Sequence, residues 1–408
     1  MGAQRKSGAD LSVGELWSGR MRVAIVGGRL QGVEAAYLAL KAGWQSLLID
    51  RDPDVPARGL AHTFVQSDVT TESSAISDLL KDTDLIIPAL ENHGALKSLK
   101  DLAERKHYPL AYDDAAYAIT SSKKKSDSLF KELGLPAPRP WPECGFPVIL
   151  KPSESSGSQG IHRMGNFEEL DAFVQKTNLQ NRDCIIQEFL EGPSYSLEVI
   201  GINGNYHPLQ PTIIDVDTEF DCKRVIAPTG LSEVLEKQFD EIAVTAAEAV
   251  NLKGIMDIEV ILHKNELKIL EIDARLPSQT PTAVFKSTGI NMLELLYDIF
   301  NSGKIPTIPK IGNEKAVIYE HVRVRPDTLV VSGEHVISEA RPLCYRRNFF
   351  GADEALTDFG SDNRNWVATL ILSAKTKEDV IHKHYRVLDT IRSTFRLREC
   401  PDSYPELV

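Results

Sequence analysis

The readable pattern of the chain begins at Met21. Met21–Gly27 (MRVAIVG) is an apolar run of strand length closed by glycine. Val33–Ala42 repeats apolar residues at helical spacing, Gly43 ends it, and Gln45–Asp50 (QSLLID) is a second apolar run. Strand, glycine turn, helix and strand make a βαβ unit, which predicts a parallel sheet. Leu85–Pro88 predicts another strand of that sheet, and Ala75–Lys81 and Ala95–Arg105 predict amphipathic helices beside it. A helix ended by Gly134 and a Pro-rich linker follows, then strands at Phe146–Pro152, Cys184–Phe189 and Tyr195–Ile202. Leu235–Val250 is an amphipathic helix, and another is expected near Asn291–Asn301. From about Lys310 the pattern breaks into short strands and loops before a closing helix at Lys377–Phe395. No catalytic motif stands out there, so this part reads as a cover over a site built elsewhere.

The centre of the chain is Gly254–Thr282 (GIMDIEVILHKNELKILEIDARLPSQTPT). Two β-rich runs, Asp257–Leu262 and Leu267–Ile272, flank a short polar segment and predict a hairpin. Strand side chains alternate faces, so Asp257 shares a face with Glu259, and Glu271 with Asp273. With an odd-length loop centred on Asn265, Glu259 falls opposite Glu271. Like charges directly opposite are destabilising, and four carboxylates so arranged call for cations. Hard oxygen ligands suit Mg²⁺ completed by substrate phosphates. Arg275 follows at once, a fixed cation able to reach an oxyanion or phosphate. A solvated acidic edge is the plainer reading, but Leu267, Ile269, Leu270 and Ile272 are too apolar for one.

Composition narrows the classes. The 408 residues are enough for two or three domains, and the formal net charge of −12 argues against non-specific nucleic-acid binding. No apolar run reaches the roughly 18 residues of a membrane span. The five cysteines are scattered, odd in number and form no CxxC, which fits reduced thiols in a cytoplasmic protein. Residues 1–20 are polar and Gly/Ser-rich, and are expected to be a disordered extension.

Other stretches carry candidate chemistry. Gly27-Gly28-Arg29-Leu30-Gln31-Gly32 could bring backbone amides to an anion at a helix N-terminus, with Asp50 placed for a ribose hydroxyl. A dinucleotide-dependent oxidoreductase stays open on that unit alone. Glu91 follows the end of a parallel strand, where α/β sheets bind ligands, and could grip an ammonium group. Lys151 lies on a strand beside the Ser/Gly-rich loop Ser153–Gly160, which includes Ser158, a pairing suited to a triphosphate. Ser196 and Glu198 share a strand face, and Lys223 and Arg224 are candidates for a γ-phosphate.

A glutamate on one strand followed by Glu271-Ile272-Asp273-Ala274-Arg275 on the next resembles the metal-binding hairpin of the ATP-grasp ligases, with Asp273 where Asn is usual. The order of the other motifs resembles that family from Met21 to Phe395. The fold implied is α/β ATP-grasp: an N-terminal Rossmann-like domain (21–120), a central α+β ATP-binding domain (121–205) and a C-terminal α+β domain (206–408). The resemblance implies that Lys123, eleven residues before Gly134, and Lys151 hold phosphates. It implies that Gln187, Glu188, Phe189 and Leu190 form the adenine hinge, that Ser194 replaces a ribose-binding Glu, and that Glu259, Glu271 and Asp273 hold Mg²⁺. Glu271 and Arg275 become the catalytic pair. VGGRLQGVEAAYLALKAG, YSLEVIG, LKGIMDIE and EIDARLPSQTPT are similar to the branch that joins 3-methyl-D-ornithine to the ε-amine of L-lysine in pyrrolysine biosynthesis. That likeness implies Leu30, Gln31, Glu91, Ser196, Glu198 and Ser278 as amino-acid contacts, and Arg29, Asp50 and Asp68 as contacts of a second nucleotide. ATP and Mg²⁺ are then the cofactors and the two amino acids the partners, with no nucleic acid and no membrane. A homodimer, another carboxylate–amine ligase and a non-catalytic nucleotide-binding regulator remain open.

Overall fold

The computed structural model describes residues 21–398, apart from 72–73, 154–159, 178–183, 306, 309–313 and 361–363. The first apolar runs form a parallel sheet in the order Thr63–Gln66, Gln45–Asp50, Arg22–Val26, Leu85–Pro88. The two central runs, Gln45–Asp50 and Arg22–Val26, are buried along most of their length, as parallel strands covered by helices require. Thr63–Gln66 is a half-exposed edge strand, too short and too polar to stand out in the pattern. Because Arg22–Val26 lies between Gln45–Asp50 and Leu85–Pro88, the carboxyl ends of all three open side by side. Gly27 ends the first strand at φ +106°, where a Cβ would meet the Ala89 carbonyl oxygen at 2.3 Å. Helix Leu30–Lys41 starts immediately afterwards.

Most of the remaining strands join one antiparallel sheet of eleven. Its main path runs Glu266–Asp273, Gly254–His263, Ser194–Ile202, Thr212–Val216, Cys222–Ala227, Ala316–Val324, Trp366–Ala374, Ala352–Thr357, Cys344–Phe349. Two expectations change here. Ser194–Ile202 hydrogen-bonds between Gly254–His263 and Thr212–Val216, so the sheet crosses the boundary drawn at 205. The segment after Lys310 is a continuation of the same sheet, because its alternating apolar residues close the core begun by the hairpin. A separate three-stranded sheet, His162–Met164, Val148–Pro152 and Cys184–Glu188, packs on helix Phe167–Thr177 through Val148, Leu150, Met164 and Leu170.

The parallel unit is bound to the large sheet by a continuous core in which Val33, Tyr37 and Leu38 meet Ala283, Val284 and Leu293. Buried polar links fix the angle of contact. Glu34, 1 % exposed, accepts the backbone N–H of Thr282, one of the amides left unpaired in the first turn of helix Thr280–Thr288. Lys41 Nζ lies 2.7 Å and Lys286 Nζ 3.1 Å from Glu354 Oε1, and the Tyr37 hydroxyl donates to Glu354 Oε2.

Candidate active site

The hairpin turns through Lys264 and Asn265, both at positive φ, between the paired residues His263 and Glu266. This is the two-residue primed turn that suits strand twist, so the expected odd-length loop is corrected. An even turn by itself pairs Glu259 with Leu270 and sends Glu271 to the other face. A register shift after Glu259 leaves Leu270 as an extra residue, and Glu259 stands opposite Glu271 and Asp257 opposite Asp273. The carboxylates therefore share a face, by a bulge and not by loop length. The inward residues show the same break: Leu267 and Ile269 are buried before it, Ile272 and Ala274 after it.

Cations from elsewhere meet this face. Lys123, at the start of helix Lys123–Leu133, places Nζ 2.6 Å from Glu271 Oε1. Arg275 Nη2 lies 2.7 Å from Asp273 Oδ2 and 2.7 Å from Glu91 Oε1. Gln31 Nε2 donates to the same Glu91 oxygen at 2.9 Å. Ser196 donates to Asp257 Oδ1. Charge is still unbalanced. Burial, then the neighbouring Asp257 and Glu271, push the Glu259 carboxyl up to about 8. Burial, then Glu198, takes Asp257 to about 8. Burial raises Asp273 to about 7 against the pull of Arg275. Asp273 Oδ1 is buried with no hydrogen-bond partner. Crowded carboxylates that include an orphaned oxygen are donors that could suit a hard divalent cation.

Arg275 lines two sizeable cavities. The larger, about 560 Å³, lies at the carboxyl ends of the parallel strands and reaches Gly28, Gln31, Glu91 and Arg275. The smaller, about 150 Å³, is lined by Asp257, Glu259, Glu271 and Asp273. Arg275, Ser278 and Glu334 line both, so the two spaces adjoin at these side chains.

The family model of the ATP-grasp domain matches residues 120–279, the span from the Lys123 helix to the end of the hairpin. A 3-methyl-D-ornithine–L-lysine ligase of Methanosarcina mazei is 34% identical over 385 residues, which cover 93% of this chain and 98% of the relative. The enzyme of the same description from Methanosarcina barkeri is 33% identical over 91% of this chain and 98% of its own. The chain belongs to the ATP-grasp ligase family. Solved structures agree on the fold. The biotin carboxylase domain of Hydrogenobacter thermophilus 2-oxoglutarate carboxylase, solved with MgADP, superposes with a TM-score of 0.69 at 16% identity, over 91% of this chain and 90% of its own. The L-amino acid ligase of Bacillus licheniformis gives 0.64 at 17% identity, over 91% and 98%. The oxidoreductase alternative, which rested on the first βαβ unit, gives way to this membership.

In this ATP-grasp chain, Lys151 is buried on Val148–Pro152 with Nζ 3.4 Å from the Leu270 carbonyl oxygen, and burial lowers its pKa. Its strand pairs with Cys184–Glu188, so Lys151, Gln187 and Glu188 belong to one small sheet, and Phe189 and Leu190 follow directly after it. Gln187 is buried, and Glu188 is held by Arg139 at 2.9 Å, which lowers its pKa. Ser158 lies outside the described residues. Arg29, Leu30, Gln31, Asp50, Asp68, Glu91 and Ser278 all line the larger cavity. Asp50 already accepts the backbone N–H of Gly28 and of Asp52, and Asp68 that of Thr70. Ser196 and Glu198 are fully buried, Ser196 behind Asp257 and Glu198 under the Thr280 hydroxyl, and line neither cavity. Arg224 is core structure. Its guanidinium pairs with Glu320 and lies 2.6 Å from Asp215, while Lys223 lies 3.5 Å from Asp215. Among the described residues, no helix is long and apolar enough to cross a membrane.

Sequence reasoning missed the residues after Lys310. Glu334, His335, Ser338 and Glu339 line the larger cavity, correcting the reading of this segment as cover alone. Nothing local marks them. They are brought in because Asp217 Oδ2 accepts the Gly333 N–H at 3.2 Å and Asp221 Oδ2 accepts the His335 N–H at 3.1 Å.

Proposed function

We propose that the chain joins the carboxylate of 3-methyl-D-ornithine to the ε-amine of L-lysine, with ATP cleaved to ADP and phosphate through an acyl phosphate. The observation that carries the reading is Arg275, which lines both the carboxylate-rich cavity and the cleft holding Gln31 and Glu91. A guanidinium at that junction can hold an activated carboxylate on one side while the acceptor approaches from the other. The near full-length likeness to the Methanosarcina ligases supports the choice of amino acids.

In this reading Glu259, Glu271 and Asp273 hold Mg²⁺. When bound it neutralises charge on the phosphates. Lys123 and Lys151 bind phosphate oxygens, Lys123 exchanging its contact with Glu271 for the nucleotide. Gln187–Leu190 borders the base. Arg275 stabilises charge on the acyl oxygen as the carbonyl becomes tetrahedral. Gln31 and Glu91 orient the acceptor by its α-ammonium, which leaves its side-chain nitrogen to reach the junction. The route requires no covalent nucleophile from the protein. Its contribution is placement and fixed charge.

The test incubates the enzyme with ATP, lysine and D-ornithine or its 3-methyl form, and follows the products by mass spectrometry. The expected products are an Nε-acylated lysine, ADP and phosphate. Without lysine, hydroxylamine should trap the acyl phosphate as a hydroxamate. Production of AMP, or an amide on the lysine α-nitrogen, refutes the route or the pose respectively.

A further inference from the structure

Amide formation from an amino-acid acceptor has a requirement that the residues above leave unmet. A side-chain amine reaches the site as an ammonium ion, with no lone pair to attack. Some group must attract that cation and take its proton at the point where the activated carboxylate waits.

Glu334 stands at that point. It is one of three side chains lining both cavities, beside Arg275 and Ser278, and the only acid of the three. It comes from the far part of the large sheet, on a turn pinned at Gly333 and His335 by Asp217 and Asp221. Its own orientation is set by a buried relay. His321 is fully buried, and desolvation lowers its pKa to about 3, so the ring is neutral. Its Nδ1 lies 2.9 Å from Thr369 Oγ1, and its Nε2 lies 3.1 Å from Gln279 Oε1. An amide oxygen only accepts, so Nε2 carries the ring proton and Nδ1 accepts from the threonine hydroxyl. The Gln279 amide is then fixed with its nitrogen outward, and Nε2 donates to Glu334 Oε2. Gln279 holds this pose at φ +73°, a conformation that glutamine seldom adopts. Among the described residues Gln279 is the hydrogen-bond partner of the Glu334 carboxylate, through Oε2, which leaves Oε1 for a ligand. Burial, then the nearby Asp221, push this carboxyl up to about 8, in the range of a working base.

Resting on the ligase reading above, we propose that Glu334 receives the side-chain ammonium of the acceptor amino acid and removes its proton for attack on the acyl phosphate. One N–H proton passes to Glu334 Oε1. The freed lone pair forms the C–N bond at the acyl carbon, and the C–O bond to phosphate breaks, its electron pair leaving with the phosphate. The second N–H proton leaves on that phosphate, and Glu334 returns its proton to water. Thr369, His321 and Gln279 are positioning residues, acting through the carboxylate they orient.

The experiment separates activation from attack. Hydroxylamine is uncharged near neutral pH and needs no base, so it reports acyl phosphate formation alone. With Glu334→Gln, lysine-dependent amide formation should fall about 10²-fold or more, the usual contribution of a general base. Hydroxamate formation from ATP, the ornithine substrate and hydroxylamine should stay near the wild-type rate. Glu334→Asp, which keeps the charge on a shorter arm, should recover part of the amide activity. Circular dichroism on both variants checks folding. Near-wild-type amide formation by Glu334→Gln overturns the proposal, as does equal loss of amide and hydroxamate in a folded variant. A wild-type enzyme that forms no hydroxamate overturns the ligase reading itself.

Discussion

Glu259 faces Glu271 across a hairpin whose two-residue turn alone would have put them on opposite faces, and the extra residue at Leu270 makes the pairing. Two acids opposed in this way cost the protein stability, which fits the cation site proposed for them. Glu259→Gln and Glu271→Gln should each be folded and each lose about 10³-fold in turnover, the scale of several kcal/mol of lost transition-state stabilisation. Glu259→Gln should also melt higher than wild type without nucleotide. Steady-state kinetics with excess Mg²⁺, beside thermal melts, check both halves. Near-wild-type turnover for Glu271→Gln removes it from the metal ligands.

The same acids set a pH dependence. Glu259 titrates near 8 in the folded chain against an ordinary value of 4.5. Asp257 is raised to about 8 and Asp273 to about 7. A folded pKa above the unfolded one gives stability that is complete below the unfolded value and lost as pH rises through the folded value. The melting temperature of the nucleotide-free protein should therefore fall between about pH 5 and about pH 8 from these groups, and added Mg²⁺ should restore part of it. Melts across that range with and without the metal decide the matter. A metal-independent profile counts against the site.

Arg275 bridges Asp273 and Glu91 with one nitrogen at 2.7 Å from each. Lysine keeps the charge but has no planar fork to serve both cavities. Arg275→Lys should lower turnover by about 10²- to 10³-fold, the cost of removing one oxyanion donor. Affinity for ATP, measured by calorimetry, should change far less.

Lys151 is buried near the hairpin, where burial disfavours its charge. A bound triphosphate would offset that cost by pairing with the ammonium. Lys151→Ala should weaken ATP binding by about tenfold or more, the value of a charged hydrogen bond, and leave the melting temperature of the free protein little changed. A large loss of stability in the free protein would mark a structural lysine instead.

Glu354 receives Lys41, Lys286 and the Tyr37 hydroxyl, and these contacts hold its carboxyl down to about 2 despite burial. Here the sign reverses. The stability is present above the ordinary value of 4.5 and is lost as pH falls toward 2. Glu354→Ala leaves two half-buried lysines without their acid and should cost about 3 kcal/mol, read from urea unfolding.

The elements nearest the chemistry were legible in the chain because their periods are local. A run such as MRVAIVG can only be a buried strand before its glycine, and alternation put Asp257 with Glu259 and Glu271 with Asp273 whatever lay around them. Even the bulge had a trace. The apolar positions Leu267 and Ile269 are odd while Ile272 and Ala274 are even, a change of phase that one extra residue must absorb. The tertiary structure alone decided which distant groups meet. Glu91 and Arg275 are 184 positions apart, and Glu34 reaches Thr282 across 248. Glu334 carries no motif, and only the turns pinned by Asp217 and Asp221 bring it to the junction. Local periodicity records which face a side chain takes. What stands opposite that face depends on the packing of whole sheets, which a short window of sequence does not contain.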